Sequence, residues 1–316
     1  MQRFELLIRQ ARSESQNKGF SLKAGIPQQD FVSWANEAQQ RLYSEAIKTH
    51  PMYFIGEVLL DSVSGQEVYD LPEECFLAHI ENIEYSISGS NNEFYRLEQA
   101  RLPERISYPS GNPGYYIRRG KQILMVPAPT TGGTAKIRIN FVKRLPRIDV
   151  RRAVVQTHTI IGTNLTALTL NPGSLQMVDF SEFSEHNFLC VVDRNGAIKL
   201  RGIEYDSINL GTGVVTLTGG AQPLDGGTLA NNDYITLGPW SANLPDLPET
   251  AERYLIEWLT FRATFRDGSA RSKEQKVLCD EILSDVVASF ADIEHDTVGI
   301  TLLNTDYLDA QRIDTL

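Results

Sequence analysis

Cysteine and long apolar runs are both scarce in this 316-residue sequence. Cys75, Cys190 and Cys279 lie 115 and 89 residues apart, which gives neither a disulfide framework nor a C-x-x-C metal spacing. No apolar stretch approaches the roughly 18 residues of a membrane span, and the N-terminus "MQRFELLIRQARSES" lacks the apolar core of a secretory signal. We therefore expect a protein made in the cytoplasm, with small buried cysteines and no membrane partner.

Catalytic and cofactor-binding motifs are also missing. The sequence contains no phosphate-binding glycine loop, no dinucleotide fingerprint, no H-E-x-x-H zinc motif, no G-x-S-x-G nucleophile motif and no EF-hand loop. The histidines are dispersed without ligand spacing, at His50, His79, His158, His186 and His295. We expect no catalytic, cofactor or metal site, and a protein that is not an enzyme.

Positive charge is in deficit, with 30 basic against 40 acidic residues and a net charge of −10. This balance opposes a protein that wraps or reads a nucleic acid by neutralising its phosphates. The densest basic run is "KRLPRIDVRR", which contains Lys143, Arg144, Arg147, Arg151 and Arg152. These residues form either a patch that touches DNA phosphates or a solvated junction between domains, and the lack of aromatic stacking partners favours the junction.

Helical periodicity is present at both ends of the chain. Apolar residues recur at spacings of three and four in four segments. They are Phe4, Leu7, Ile8 and Ala11; Phe31, Trp34, Ala35, Ala38 and Leu42; Tyr254, Leu255, Trp258, Leu259, Phe261 and Phe265; and Leu278, Ile282, Val286, Phe290 and Ile293. Because amphipathic helices need one another to bury these faces, residues 1–60 and 245–295 are predicted to form one discontinuous bundle.

Strand-like segments fill the chain between the two helical ends. In "YYIRRGKQILMV" the Gly120-Lys121 pair predicts a type II′ hairpin, with Tyr115 and Tyr116 on opposite faces of the strand. The prolines of "PAPTTGG" end the second strand, and "AKIRINFV" alternates as a half-buried strand. We interpret residues 112–142 as a three-stranded antiparallel meander at the centre of a β region over 61–150.

A second β region, over residues 151–240, has short strands separated by turn residues, as in a small barrel or sandwich. The predicted fold class is therefore α+β: a discontinuous helical bundle from both chain ends, an antiparallel β meander and an inserted small β-barrel or sandwich domain.

The C-terminal segment over 296–316 is acidic but contains many apolar residues. From Ala291 to Leu316 there are six acidic residues and one arginine. Alternation at Val298, Ile300 and Leu302 is typical of an extended strand, and more apolar residues follow at Leu303, Tyr307, Leu308, Ile313 and Leu316. This segment either packs on its own subunit or, as we favour, docks on a partner by strand addition or anchor side chains.

Several stretches, taken in order, resemble the head-to-tail adaptor proteins of short-tailed bacteriophages, such as tail tubular protein A. They are "FVSWANEAQQRLYSEA", "GQEVYDLPEEC", "NPGYYIRRGKQILMVPAPTTG" and "AKIRINFVKRLPRI", followed by a late helical pair. The resemblance covers about residues 1–150 and 245–295. The β insertion is a departure from the simplest adaptors.

The resemblance implies a structural virion protein of the phage neck, assembled in the host cytoplasm as a ring of about twelve copies. The helical bundle would face the portal protein, and the 151–240 domain would face the tail nozzle or tail tube proteins. On this arrangement, the partner that we favour for the 296–316 tail on its own residues is the portal. DNA would be only non-specific cargo in the channel.

Two alternatives remain open from the sequence. The first is a hexameric stopper or nozzle protein directly below the adaptor. The second is a sugar-binding or sugar-cleaving tail protein, in which paired carboxylates such as Glu182 and Glu185, flanking Phe183, would line a groove.

Overall fold

The computed structural model describes nine ranges of the chain: 4–17, 26–87, 93–101, 111–171, 188–224, 227–243, 247, 249–266 and 272–290. The helices are α1 (Phe4–Asn17), α2 (Gln28–Thr49), α3 (Glu249–Arg266) and α4 (residues 272–290), with short 3-10 helices at Pro51–Phe54 and Thr218–Gly220.

Seventeen strands are assigned within these ranges. They are β1 (Ile55–Ser62), β2 (Val68–Asp70), β3 (Cys75–Ser86), β4 (Phe94–Arg96), β5 (Glu98–Gln99), β6 (Tyr115–Arg119), β7 (Gln122–Val126), β8 (Gly133–Lys143), β9 (Arg147–Ile148), β10 (Ala153–Ile161), β11 (Asn164–Leu170), β12 (Phe188–Val192), β13 (Ile198–Ile208), β14 (Val214–Leu217), β15 (Gln222–Pro223), β16 (Tyr234–Leu237) and β17 (Ser241–Ala242).

The chain divides into two compact units. The first unit contains Met1–Glu45 and Leu145–Ser289, so the helices of both ends and the inserted strands share it. The second unit contains Ala46–Arg144 and the chain from Phe290 onward, of which only Phe290 is described. The predicted domain boundaries and the portal-facing and tail-facing assignments stay predictions.

The helices of the first unit bury the faces that their periodicity predicts. On α1 the four apolar residues Phe4, Leu7, Ile8 and Ala11 are all at most 3% exposed. The backbone oxygen of Ala11 accepts a hydrogen bond from Thr260 of α3, 249 residues away in sequence. One α3 residue departs from the pattern: Phe265 is 60% exposed, because it lies in the last turn of the helix, beyond the buried Phe261.

Polar contacts join α2 to the two late helices. The Arg41 guanidinium lies 2.7 Å from an Asp280 carboxylate oxygen on α4 and stands 5.1 Å from the centre of the Trp258 ring on α3. Arg262 of α3 contacts Glu37 of α2 at 3.0 Å. Helices from the two chain ends therefore form one bundle, as the sequence predicts.

The inserted strands of the first unit close into a barrel. Six strands pair in the order β10-β16-β12-β13-β14-β11, and β11 pairs back with β10, so the sheet closes on itself. Full closure leaves no free edge in these six strands. The interior is filled by apolar side chains that include Val155, Leu165, Leu168, Leu189 and Ile235. The barrel, rather than a sandwich, is therefore the form of the predicted inserted domain, and the α+β class is confirmed.

The second unit is built on two four-stranded sheets, ordered β1-β8-β3-β4 and β2-β7-β6-β5. Fully buried residues from both sheets form one core, including Ile83, Tyr85, Ile123, Ile137 and Ile139. Alternation along β8 buries Ile137, Ile139 and Phe141 on this face, which matches the period-two pattern of its sequence.

The hairpin of β6 and β7 has the predicted geometry. Arg119 pairs with Gln122, which leaves Gly120 and Lys121 as a two-residue loop, and Gly120 alone of the two has a positive φ, of 62°. This is the signature of a type II′ turn. Tyr116 packs into the core between the sheets, while Tyr115 packs against a separate cluster with Ile117 and Val126.

The prediction that residues 112–142 form one three-stranded meander is wrong. β7 pairs with β2 and β6, whereas β8 pairs with β1 and β3 in the other sheet. The intervening prolines end β7, and the Pro129 carbonyl accepts a hydrogen bond from the Gly65 backbone at 2.8 Å, which holds the crossing segment. The alternation in β8 fits either sheet, so local pattern does not determine its partners.

Gly213 is required in the barrel, and its replacement tests the packing of β11 against the turn before β14. Its φ is +74°, and an added Cβ would lie 1.8 Å from the Leu170 carbonyl oxygen. We expect Gly213→Ala to reduce the free energy of unfolding by about 3 kcal/mol, from left-handed strain plus the clash. Gly219→Ala is the control, since Gly219 also has a positive φ but no atom within 4 Å of the added Cβ, so only about 1 kcal/mol should be lost. Urea unfolding followed by circular dichroism measures both values, and equal losses would contradict the clash.

Candidate functional site

The five residues of the predicted basic patch belong to two units and differ in burial. Lys143 and Arg144 belong to the second unit, and Arg147, Arg151 and Arg152 belong to the first. Lys143, Arg144 and Arg147 are exposed, whereas Arg151 is half-buried and Arg152 is buried. The two arginines at the end of the run therefore have an internal role, which we describe next.

Arg151 is held by Glu5 of α1. The Glu5 carboxylate accepts hydrogen bonds from the Arg151 backbone at 2.9 Å, from Nε at 3.2 Å and from Nη2 at 3.2 Å. The guanidinium also lies over the Tyr234 ring, 4.4 Å from its centre. Both side chains of the ion pair are largely buried, with 15% and 23% of their surface exposed. Such a two-oxygen, charge-assisted contact fixes orientation as well as distance.

The environment of Glu5 shifts its acidity. Burial alone raises the pKa of the carboxyl, but the hydrogen bonds and the charge of Arg151 outweigh burial and hold the pKa below its ordinary value of 4.5. Glu5 is therefore ionised at neutral pH, as the ion pair requires.

Arg152 is paired within the same segment. Its guanidinium donates to Asp149 at 2.7 Å, and Asp149 also accepts the Leu237 backbone N–H of β16 at 2.9 Å. The Asp149 and Arg152 side chains are 5% and 10% exposed. This buried pair links the segment that leads into the barrel to β16, the last of the six barrel strands in the sequence.

Three amides complete the junction between bundle and barrel, and sequence reasoning missed all of them. Asn36 of α2 accepts from the Ile148 backbone N–H at 2.9 Å and donates to the Ile148 oxygen at 2.8 Å. Gln39 donates to the Pro146 oxygen at 2.9 Å. Asn243 donates to Glu5 at 3.0 Å and accepts the Phe4 backbone N–H at 3.3 Å. The sequence does place Asn36 and Gln39 one turn apart beside the apolar stripe of α2. The same pattern is typical of a solvated helix face, so it does not by itself indicate these contacts.

We call this set the junction network: Glu5, Asn36, Gln39, Asp149, Arg151, Arg152 and Asn243. It satisfies backbone groups of an irregular segment that is itself paired as β9 with β17. Since its carboxylates neutralise Arg151 and Arg152, these two residues are bound internally rather than presented to phosphate.

The other predicted site residues lie outside the described ranges. Val298, Ile300, Leu302, Leu303, Tyr307, Leu308, Ile313 and Leu316 all follow residue 290. The last described residue, Phe290, is fully buried and packs its ring against Tyr53 at 4.7 Å and Phe54 at 5.6 Å in the second unit. Glu182, Phe183 and Glu185 are also outside the described ranges.

Two further observations concern only the described residues. Among them, no group of three or more His, Cys, Asp or Glu residues is arranged to hold a metal ion. None of the described helices combines the length and the hydropathy that a membrane crossing requires.

Exposed apolar side chains are candidates for protein contacts, and they occur in both units. The hairpin of β10 and β11 presents Ile161, which is 67% exposed, and the end of α3 presents Phe265. In the second unit Leu59 of β1 is 40% exposed and Leu77 is 79% exposed. Single exposed apolar residues are ordinary on protein surfaces, so an interface needs support from backbone or charge as well.

Comparison with known families gives a match in the N-terminal part of the chain. Residues 3–153 match the family described as SU10 adaptor protein, a region just under half of the sequence. This match confirms the resemblance to phage head-to-tail adaptors. It covers α1, α2, the two-sheet unit and the junction segment, and it ends at Ala153, where β10 begins. No curated protein matches the chain.

Arg151→Ala tests the junction network. Removing the cation leaves the Glu5 carboxylate largely buried without its partner, so we expect a loss of about 3 kcal/mol in the free energy of unfolding. Arg147→Ala is the matched control, because Arg147 is an exposed arginine of the same segment and its loss should change stability by less than about 0.5 kcal/mol. Chemical unfolding measures both variants, and similar values for the two would contradict a structural role for Arg151.

The same pair predicts a pH dependence. Because the pKa of Glu5 is lowered on folding, the stabilisation is fully present above about pH 4.5 and is lost as the pH falls through the lower folded-state pKa. We expect the stability difference between wild type and Glu5→Gln to shrink between about pH 7 and about pH 3. A difference that stays constant over this range would show that ionised Glu5 contributes nothing specific.

Proposed function

We propose, from the premise that residues 3–153 are an SU10 adaptor protein region, that this chain is a ring-forming head-to-tail adaptor of a bacteriophage. In this role it joins the portal protein to the tail and forms part of the channel through which DNA passes. The family match is the observation that carries the proposal. The place of action is the neck of the virion.

The architecture supports a role in contacts between proteins. A ring forms when one surface of a subunit binds a different surface of its neighbour and the rotation closes, which requires broad side faces rather than a pocket. Two compact units and a closed barrel provide such faces. We assign the helical bundle to the portal side and the barrel, which lies outside the matched family region, to the tail nozzle or tail tube.

The charge of the chain favours passage of DNA over binding. Twelve copies with a net charge of −10 each give a ring of about −120, which repels phosphate along a channel. Arg151 and Arg152 add no positive patch, since Glu5 and Asp149 neutralise them. Any phosphate contact from the basic run is left to Lys143, Arg144 and Arg147.

The C-terminal residues are the proposed portal-docking tail. Their anchors are the apolar residues Val298, Ile300, Leu302, Leu303, Tyr307, Leu308, Ile313 and Leu316. Burying one such side chain contributes about 1.5 to 3 kcal/mol before the cost of ordering the segment. The tail over 296–316 follows Phe290, whose ring is fixed against Tyr53 and Phe54, after five intervening residues.

A chain truncated after Asp296 tests this docking role. We expect at least a 100-fold loss of affinity for DNA-filled heads that carry the portal, because several anchors are removed together. The assay is co-sedimentation of purified subunit with heads, and circular dichroism checks that the truncated chain is folded.

A full-length chain with Val298→Ser, Ile300→Ser and Leu302→Ser is the matched variant. It keeps the length and charge of the tail while removing the apolar anchors, so its binding should also fall. Binding of both variants at the wild-type level would remove the tail from the portal contact.

A further inference from the structure

We propose that neighbouring copies of this chain join by strand pairing, with β1 of one copy adding to β4 of the next. The inference rests on the proposed ring and specifies the surfaces that build it. It concerns the sheet ordered β1-β8-β3-β4 in the second unit, where β1 and β4 are the two edge strands. Within the described residues, neither strand pairs with a further strand on its outer side.

The edge at β1 is long and incompletely covered. β1 has eight residues, and its inward-facing Val58 and Leu60 pack on the core between the sheets while remaining only partly buried. Its outward-facing Leu59 is 40% exposed. An added strand would cover these apolar groups, whereas an open edge leaves them and a row of backbone groups in water.

One hydrogen bond fixes which backbone groups point to the free edge of β4. The Leu97 N–H donates to the Ile83 oxygen of β3 at 2.7 Å. Because backbone direction alternates along an antiparallel strand, Tyr95 also points to β3, while Phe94 and Arg96 point outward.

The same alternation extends across the sheet to β1. Since the backbone groups of Ile83 point toward β4, those of its neighbour Glu84 point toward β8. Arg138 of β8 is paired with Glu84, so its backbone groups point back toward β3. The backbone groups of Ile139 therefore point toward β1, and those of its partner Val58 point toward β8. No register shift interrupts these positions, so the backbone groups of Glu57 and Leu59 point to the free edge.

A single antiparallel register matches the two edges. Pairing Glu57 with Arg96 and Leu59 with Phe94 brings together the four residues whose backbone groups point to the two edges, and forms about four backbone hydrogen bonds. All four side chains lie on the outer face, opposite the core that holds Val58 and Tyr95. The register thus sets a carboxylate beside a guanidinium and an apolar side chain beside an aromatic ring.

The present contacts of these side chains leave room for the pairing. Glu57 lies 3.5 Å from Arg138 but keeps 52% of its side chain exposed. Arg96 is exposed, and Phe94 is held on the outer face by Arg138, which stands 3.9 Å from the ring centre. The outer face therefore keeps Glu57 and Arg96 accessible to a neighbouring chain.

The strand directions permit repetition. β1 runs antiparallel to β8, β8 to β3 and β3 to β4, so β4 and β1 run in opposite directions. A neighbour placed in the same orientation then continues the antiparallel alternation. The contact joins two different surfaces, so it propagates from copy to copy and gives a ring where the rotation between neighbours closes.

Two proline variants test the contact by blocking one edge each. Leu59→Pro removes an outward N–H of β1, and Arg96→Pro removes an outward N–H of β4, without deleting a bond of the existing sheet. Val68→Pro is the matched control. Met125 of β7 donates to the Glu67 oxygen, so the backbone groups of Glu67 point toward β7 and the N–H of the next residue, Val68, points to the free edge of β2. Val68 therefore also has an outward N–H, but it belongs to the other sheet.

Sedimentation velocity and native mass spectrometry of the full-length chain read out the assembly. We expect wild type and Val68→Pro to form rings, and each edge variant alone to remain a monomer. An equimolar mixture of Leu59→Pro and Arg96→Pro should form a 1:1 dimer and stop, because one good β1 edge and one good β4 edge remain. Rings from either edge variant alone, or a mixture without dimers, would overturn the edge contact.

The failure of this contact is distinguishable from the failure of the adaptor role. Rings that survive in both edge variants remove the contact but leave the ring function, whereas a wild-type chain that stays monomeric, alone and with portal, removes both.

Charge reversal provides a second measurement if a proline variant does not fold. Glu57→Lys and Arg96→Glu should each weaken assembly at least tenfold, and the double variant should recover it. Failure of the double variant to recover assembly would overturn the pairing.

Discussion

The mutual burial of helices from opposite ends of the chain is the constraint on which the first unit depends. The apolar face of α1 is buried, and α1 and α3 touch at Ala11 and Thr260, 249 residues apart. The chain that leaves the N-terminal helices must therefore return to them after the β strands. Because the β-barrel closes on itself, it can be inserted between these helices without exposing a sheet edge.

Apolar burial brings the bundle together, but the junction network sets how the barrel sits on it. Glu5, Asn36 and Asn243 recognise backbone groups and a guanidinium at fixed positions, so a small rotation of the barrel would leave several buried polar groups unpaired. In the second unit, β1 and β4 are the edge strands at which we propose the contacts between copies.

Local patterns in the sequence were sufficient for the helix faces, the II′ hairpin at Gly120 and the presence of a small inserted β domain, though not for the choice between barrel and sandwich. They failed where partners are distant. The sequence of β8 alternates correctly for either sheet, so its place beside β1 and β3 rather than β7 was not predictable from period alone. Arg151 and Arg152 were apparent as a basic run, but their neutralisation by Glu5 and Asp149 depends on tertiary contacts. The tail residues lie outside the described ranges, so their docking role stays a proposal from the sequence.

Electron cryomicroscopy of the neck of the intact virion tests the central claim most directly. The account predicts density for this chain as a ring of twelve copies between portal and tail, with the helical bundle toward the portal and the barrel toward the tail. A six-fold ring would instead assign the chain to a stopper or nozzle position. Absence of the chain from the neck would contradict the adaptor role altogether.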